Sequence, residues 1–242
     1  MGHKANYVID IGNTRIKSGW VTGDVVEEVK FWKHEQSLEA LIPHNSKTII
    51  CSVGQTVDKL KNISSESLTI FNRDTPINLK LNYDTPETLG LDRIAAAVGA
   101  HSLSPRNTCL VIDLGTCITY DIVTSDAVFH GGIIAPGFIM RLKSMHQQTA
   151  NLPDLSEKWE MINDSLLGKS TAECMVSGAL NGMVEEMKGI IQRFKAEYPD
   201  LSIIVTGGDA EVFVSKINDH IFVRPNLVMV GLNQILIYNE DM

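Results

Sequence analysis

A chain of 242 residues that is 44% hydrophobic is long enough to bury one large core or two smaller ones. Its formal net charge of −8, with no long Lys/Arg run, argues against a nucleic-acid footprint or an anionic membrane surface. No apolar signal core follows the N-terminus, no run of 18 apolar residues occurs, and the cysteines (Cys51, Cys109, Cys117, Cys174) show neither metal nor redox spacing. A cytoplasmic protein with free thiols is therefore expected.

The first half opens with β-like stretches at 5–12, 14–22 and 25–33, turned at Gly12-Asn13 and Gly23-Asp24. A short helix at 37–42 ends at Pro43, and a buried strand at 47–53, a helix at 56–63 and a strand at 68–71 follow. Residues 75–88 carry Pro76 and Pro86 and read as loop with at most a short strand. Positions 92–103 are helical, with Ile94, Ala97, Val98 and His101 at helical spacing.

The second half repeats this order. Strands are expected at 108–113, 117–123 and 127–134, and Pro136 suits the first turn of a helix over 137–149. A polar stretch, 150–169, leads to the longest helix at 171–198, whose Ala172, Met175, Ala179, Met183, Met187, Ile190 and Phe194 fall at steps of three and four. Gly178 and Gly182 lie one turn apart on it and would admit another backbone, which makes this helix the expected seam with a second copy. A strand at 203–205, the Thr206-Gly207-Gly208-Asp209 turn, a helix, a strand at 221–223 and a closing helix from Asn226 complete the chain.

Two stretches carry the chemistry. VIDIGNTRIK at 8–17 runs an apolar strand into Asp10 and a Gly12-Asn13-Thr14 turn, and VIDLGT at 111–116 does the same with Asp113. An acid-tipped strand with a glycine-led turn offers backbone N–H groups that can cradle a phosphate beside a carboxylate that can hold a metal. One copy is no more than a hairpin turn. Two copies, 103 positions apart, indicate a duplicated chain with halves at 1–105 and 106–242.

Glycine pairs at Gly12-Asn13, Gly115-Thr116, Gly131-Gly132 and Gly207-Gly208 all follow β-like runs and predict a nucleotide cleft, with Asp10 and Asp113 near each other across it. Carboxylates that close repel unless a cation lies between them, so magnesium with ATP is expected. Three antiparallel strands followed by alternating helix and strand, twice over, is the α/β duplicated actin-like (RNase H-like) architecture of actin, sugar kinases and Hsp70 ATPases. Its two similar halves hold ATP between them.

Gly90-Leu91-Asp92-Arg93 opens a helix, and two readings of it stay open. Asp92 caps the helix, or it is an acceptor base beside an Arg that orients an anionic substrate. Gly168-Lys169-Ser170 has the ending of a P-loop, but position 163 is Asn where that motif needs Gly.

Taken in order, Asp10-Ile-Gly-Asn-Thr14, Tyr83-x-x-Pro86-x-x-Leu89-Gly90-x-Asp92-Arg93, Asp113-x-Gly-Thr116, Gly131-Gly132-x-Ile134-x-Pro136-Gly137 and Thr206-Gly207-Gly208 resemble type III pantothenate kinase. The resemblance implies ATP-dependent phosphorylation of pantothenate to 4′-phosphopantothenate, the first step of coenzyme A synthesis. It further implies a homodimer with the substrate pocket at the subunit interface, and a monovalent cation, potassium or ammonium. By position, Asp10, Ile11, Gly12, Asn13, Thr14, Arg15, Ile16 and Lys17 form the ATP phosphate loop, with Asp10 also holding magnesium, and Thr116 contacts ATP. Tyr83, Gly90, Leu91, Asp92 and Arg93 bind pantothenate, with Asp92 as proton acceptor, and Arg93 is expected to meet the substrate carboxylate at two points. Asp113 holds the monovalent cation, and Thr171 matches a substrate-contacting threonine from the partner subunit. The rival readings are a non-catalytic ATP-binding regulator of the same fold and a kinase acting on a sugar or another acid.

Overall fold

The computed structural model describes residues 5–33, 41–44, 46–52, 68–217, 219–240 and 242. The helix expected at 56–63 lies outside the described residues, as does most of the one expected at 37–42.

The first sheet contains β1 (Asn6–Ile11), β2 (Ile16–Thr22), β3 (Val25–Trp32), β4 (Thr48–Ser52) and β5 (Leu68–Ile70), in the order β3-β2-β1-β4-β5. Its first three strands pair antiparallel, whereas β4 joins β1, and β5 joins β4, in parallel. The second sheet contains β6 (Lys80–Leu81), β7 (Cys109–Leu114), β8 (Cys117–Val123), β9 (Val128–Pro136), β10 (Ser202–Thr206) and β11 (Ile221–Val223), in the order β11-β10-β7-β8-β9-β6. With β6 set aside, that order repeats the first sheet strand for strand. The duplication expected from the two acid-tipped motifs is thus present in the topology.

The two motif strands match residue by residue. Both β1 and β7 are buried along their length, except for a half-buried fifth position, and that position is Asp10 in one and Asp113 in the other. A central strand covered on both faces reads as a continuous apolar run, which explains why YVIDI and LVIDL show no alternation. The acid comes where the strand leaves its cover.

Among the described residues the α-helices are α1 (Leu91–Leu103), α2 (Phe138–Gln147), α3 (Thr171–Glu197), α4 (Ala210–Val214) and α5 (Leu227–Glu240). Among the described residues no helix is long and apolar enough to cross a membrane. Pro136 ends β9 rather than opening α2, whose N-cap is Gly137. Proline's fixed φ suits either place, and the Gly137 N–H is needed for a bond to the Thr116 carbonyl at 3.1 Å. The Gly168-Lys169-Ser170 run caps α3: Ser170 Oγ accepts the Glu173 N–H at 3.2 Å, and Glu173 accepts the Lys169 N–H at 2.6 Å.

The chain forms two compact units, one of Met1–Val111, Asp121–Gly131 and Asn226–Met242, the other of Ile112–Tyr120 and Gly132–Pro225. The C-terminal helix therefore belongs to the first unit, where α5 lies directly on α1. A Cβ on Gly231 would sit 1.7 Å from the Ala95 carbonyl oxygen, and one on Gly99 would sit 2.6 Å from that of Leu227. Buried Asn233 ties α5 to the sheet, accepting from Asn6 Nδ2 at 2.8 Å and donating to the Gly23 carbonyl at 3.0 Å.

This crossing fixes α1, and with it the residues at its N-terminus. Gly231→Ala is expected to destabilise the protein by about 3 kcal/mol, the upper part of the usual overpacking range. Gly189→Ala, on the exposed side of α3 where an added Cβ meets nothing within 4 Å, is expected to change stability by no more than about 1 kcal/mol, in the stabilising direction. Urea unfolding of both variants checks the contrast.

Candidate active site

In the first unit, the hairpin between β1 and β2 is anchored by buried Ile11 and Ile16 and closed by the Gly12 N–H donating to the Arg15 carbonyl at 3.2 Å. Between them Asn13, Thr14 and Arg15 are exposed, and the Arg15 guanidinium lies 5.4 Å from the Phe31 ring centre. Asp10 and Lys17 face each other across the hairpin, so their side chains share one side of the sheet. Burial raises the Asp10 carboxyl to about 6, with Lys17 pulling it down and Asp92 pushing it up. The hairpin acid and the α1 acid are therefore electrostatic neighbours.

Cys51, on β4 and directly across from Asp10, completes this corner. Its thiol is held well above the usual value by burial and by the charges of Asp10 and Asp92, which keeps it a neutral S–H. It lines the site as a small apolar group.

Gly90 is the N-cap of α1, and its lack of a side chain has a steric reason. A Cβ there would lie 2.4 Å from Asp92 Oδ1. The Asp92 carboxylate folds back over Gly90 and accepts the Arg93 N–H at 2.9 Å. It thus sits in the first helical turn, where the dipole favours negative charge, and stays half-buried beside Asp10. Asp92 is not the cap: the N-cap is Gly90 and has no side-chain bond, and the Asp92 carboxylate accepts from the adjacent residue inside the first turn.

Arg93 points into the protein. Its Nε donates to Asp121 Oδ1 at 3.2 Å and Oδ2 at 3.1 Å, and its Nη2 donates to Oδ1. Its guanidinium carbon is 5.9 Å from the ring centres of both Tyr83 and Phe129. Burial works against the charge, but Asp121 and then Tyr83 outweigh it and leave the arginine above its ordinary value. Tyr83 in turn rests on Gly131, whose φ of +82° suits glycine and whose added Cβ would come within 3.1 Å of the ring. The Tyr83 to Arg93 string is thus folded around Asp121, Phe129 and Gly131. Asp121 escaped notice in the sequence, although an acid followed by the apolar Ile122-Val123 in a predicted strand is a signal in itself.

In the second unit, the turn after Asp113 is tighter than its counterpart, with the Gly115 N–H donating to the Cys117 carbonyl at 3.2 Å. Glycine segments gather on it. A Cβ on Gly137 would lie 2.3 Å from the Gly115 carbonyl oxygen, and one on Gly207 (φ +98°) 2.4 Å from that of Leu114. The Asp209 N–H donates to the same Leu114 carbonyl at 3.2 Å. Thr116 stays exposed at the tip. Of the glycine pairs in the sequence, Gly131-Gly132 does not join this group, because Gly131 serves Tyr83 in the first unit.

Thr171 is the exposed first residue of α3. Near it a recess of about 510 Å³ is lined by Leu166, Leu167, Cys174, Gly178 and Gly182, with Leu166 83% and Leu167 78% exposed. A separate cavity of about 390 Å³ in the first unit, lined by Phe71, Leu79, Pro86 and Ile94, includes none of Asp10, Asp92 or Arg93.

Among the described residues no group of three or more His, Cys, Asp or Glu side chains could hold a metal. Asp10 supplies a hard oxygen ligand with the Asp92 carboxylate near it, a set that fits an ion held largely by phosphates and water, as magnesium usually is.

The family model for type III pantothenate kinase matches residues 6–193. A relative named type III pantothenate kinase, from Christiangramia forsetii, is 38% identical over 243 residues, covering 97% of this chain and 99% of its own. Among solved structures, a Baf family protein from Campylobacter jejuni superposes with a TM-score of 0.67 at 20% identity, covering 98% of this chain and 100% of its own. A ROK family glucokinase from Streptomyces griseus, solved with glucose and AMPPNP, gives 0.55 at 12% identity over 95% and 98%. At those identities the structures establish the fold, the duplicated actin-like ATPase and sugar-kinase architecture.

The raised Asp10 carboxyl carries a sign. A folded-state value near 6, above the ordinary 3.8, means that the metal-free fold prefers this group protonated. Its contribution is favourable at low pH and is lost as pH rises through about 6. Asp10→Asn in metal-free protein is therefore expected to raise Tm at pH 8 by about 2–4 °C for each kcal/mol relieved, and not to raise it at pH 4. Calorimetry at the two pH values checks this.

Proposed function

The chain belongs to the type III pantothenate kinase family, and on that premise we propose that it moves the γ-phosphoryl group of ATP to pantothenate with Asp92 accepting the hydroxyl proton. The product is 4′-phosphopantothenate, at the head of coenzyme A synthesis. The observation that supports this plan most is the proximity of Asp10 and Asp92 in the first unit, which brings a phosphate-loop acid and a candidate base to one place.

In this reading the nucleotide phosphates lie along Asp10, Ile11, Gly12, Asn13, Thr14, Arg15, Ile16 and Lys17. Backbone N–H groups cradle the phosphates there, and Lys17 adds charge. Thr116 meets ATP from the second half, with the duplication boundary near 105/106. Asp10 would hold magnesium together with the nucleotide, and Asp113 a potassium or ammonium ion, each neutralising phosphate charge. Tyr83, Gly90, Leu91 and Arg93 form the pantothenate wall. The exposed Thr171 and the Gly178–Gly182 face of α3 belong, on this proposal, to a homodimer in which Thr171 reaches the partner's substrate. The enzyme works in the cytoplasm, with no nucleic-acid or membrane partner.

Phosphoryl transfer asks more for in-line placement and charge neutralisation than for a strong base. Asp92, held over Gly90 by the Arg93 N–H, is positioned to take the proton from a primary hydroxyl. The Arg93 edge formed by Nε and Nη2 is occupied by Asp121, so a two-point grip on a carboxylate would have to use the other edge. A regulator of this fold without catalysis has no evident use for a half-buried carboxylate pair, and the family membership argues against it.

Asp92→Asn is expected to lower kcat by about 100- to 10,000-fold while the unfolding transition is retained. ADP release followed with pantothenate added and withheld is the assay. Near-full turnover in the variant would remove Asp92 from its role, and ADP release indifferent to pantothenate would remove the substrate. For the dimer, sedimentation is expected to return twice the chain mass for wild type and the single-chain mass for Gly182→Arg. Unchanged assembly in that variant would exclude the α3 face.

A further inference from the structure

We propose that Asp121 is a positioning residue for substrate binding, fixing the Arg93 guanidinium against the Tyr83 ring and thereby shaping the pantothenate-facing wall. The inference rests on the kinase reading above and adds a residue that the motif strings do not contain.

Arg93 is 8% exposed and Asp121 1%, so both charges have left bulk water. A buried ion pair of this kind is seldom a gain over well-packed apolar side chains, because desolvation offsets the attraction. Stability alone therefore gives weak reason for placing an aspartate in the middle of β8. Its geometry supplies a better one. Asp121 takes Nε and Nη2 together, and the planar fork then has one orientation only. That orientation lays the guanidinium against both Tyr83 and Phe129, 5.9 Å from each ring centre. The two rings are themselves 6.1 Å apart, and Gly131 lies against the Tyr83 ring, where an added Cβ would come within 3.1 Å. Every member of this stack belongs to the same compact unit as Asp92, one residue along the helix from Arg93. With Asp121 removed, the arginine would be a buried, unpaired cation and would turn toward water, releasing Tyr83. The wall as built offers a fixed hydrogen-bonding edge and an aromatic face, and its charge is already balanced.

The test uses the full-length enzyme and separates binding of one substrate from everything else. Asp121→Asn keeps the shape and removes the charge. It is expected to raise the pantothenate KM about tenfold or more, while kcat and the ATP KM stay within about threefold. A purely structural ion pair would lower Tm and leave the pantothenate KM unmoved, or shift both KM values alike, and either result overturns the proposal. Because the single variant could fold poorly, Arg93→Gln is compared with Arg93→Gln/Asp121→Asn, in which no buried charge is left unpaired. If Asp121 acts through Arg93, both have the same pantothenate KM. A further rise in the double variant overturns the proposal. A wild-type enzyme that releases no ADP in response to pantothenate instead overturns the kinase reading, and the positioning of that substrate with it.

Discussion

One electrostatic constraint runs through the site in the first unit: the charge of Asp92 on α1 pushes up the buried Asp10 carboxyl on β1, while Lys17 pulls it down. Burial and that repulsion are why the Asp10 carboxyl holds its proton up to about pH 6. Neighbouring Cys51 feels the same field and is kept as a neutral thiol. A protein that needed only to be stable would place an apolar residue at one of these positions. Cationic charge would relieve that repulsion, and in the proposed function a metal ion bound with the nucleotide supplies it.

A few residues away the opposite solution is used. Arg93 and Asp121 are more deeply buried than the two acids, yet they satisfy each other and the guanidinium is flanked by rings. One corner of α1 is thus electrostatically open and the adjoining corner closed. The helix holds them in register because its middle, from Ala95 to Gly99, is pressed onto α5, where Gly99 and Gly231 let the two backbones meet. The residues at the helix N-terminus are in this way held by a contact in the middle of the same helix.

Much of this was legible in the residues. The repeated acid-tipped strands predicted a duplicated fold, and the strand order of the two sheets repeats accordingly. The strands at 221–223 and 117–123 and the long helix after Ser170 were readable from local pattern, because each is set by its own periodicity and ends. What local pattern could not carry was tertiary. Gly90 is glycine because of the Asp92 carboxylate, Gly137 because of a turn more than twenty residues earlier, and Gly131 because of Tyr83. Pro136 fitted a helix start equally well, and only the Thr116 carbonyl decides that Gly137 takes that place. Asp121 carried a signal, an acid inside an apolar strand, but its partner lay 28 positions back in the chain. The return of α5 to the first unit is likewise invisible without the close approach at Gly231.

The central claim of the proposed function is that phosphoryl donor and acceptor meet beside Asp10 and Asp92. A crystal structure with a non-hydrolysable ATP analogue and pantothenate measures this directly. The account predicts the terminal phosphate against the hairpin that joins Asp10 to Lys17, with the pantothenate primary hydroxyl within hydrogen-bond reach of the Asp92 carboxylate. A nucleotide bound elsewhere, leaving that hairpin bare, or a hydroxyl turned away from Asp92, would contradict it.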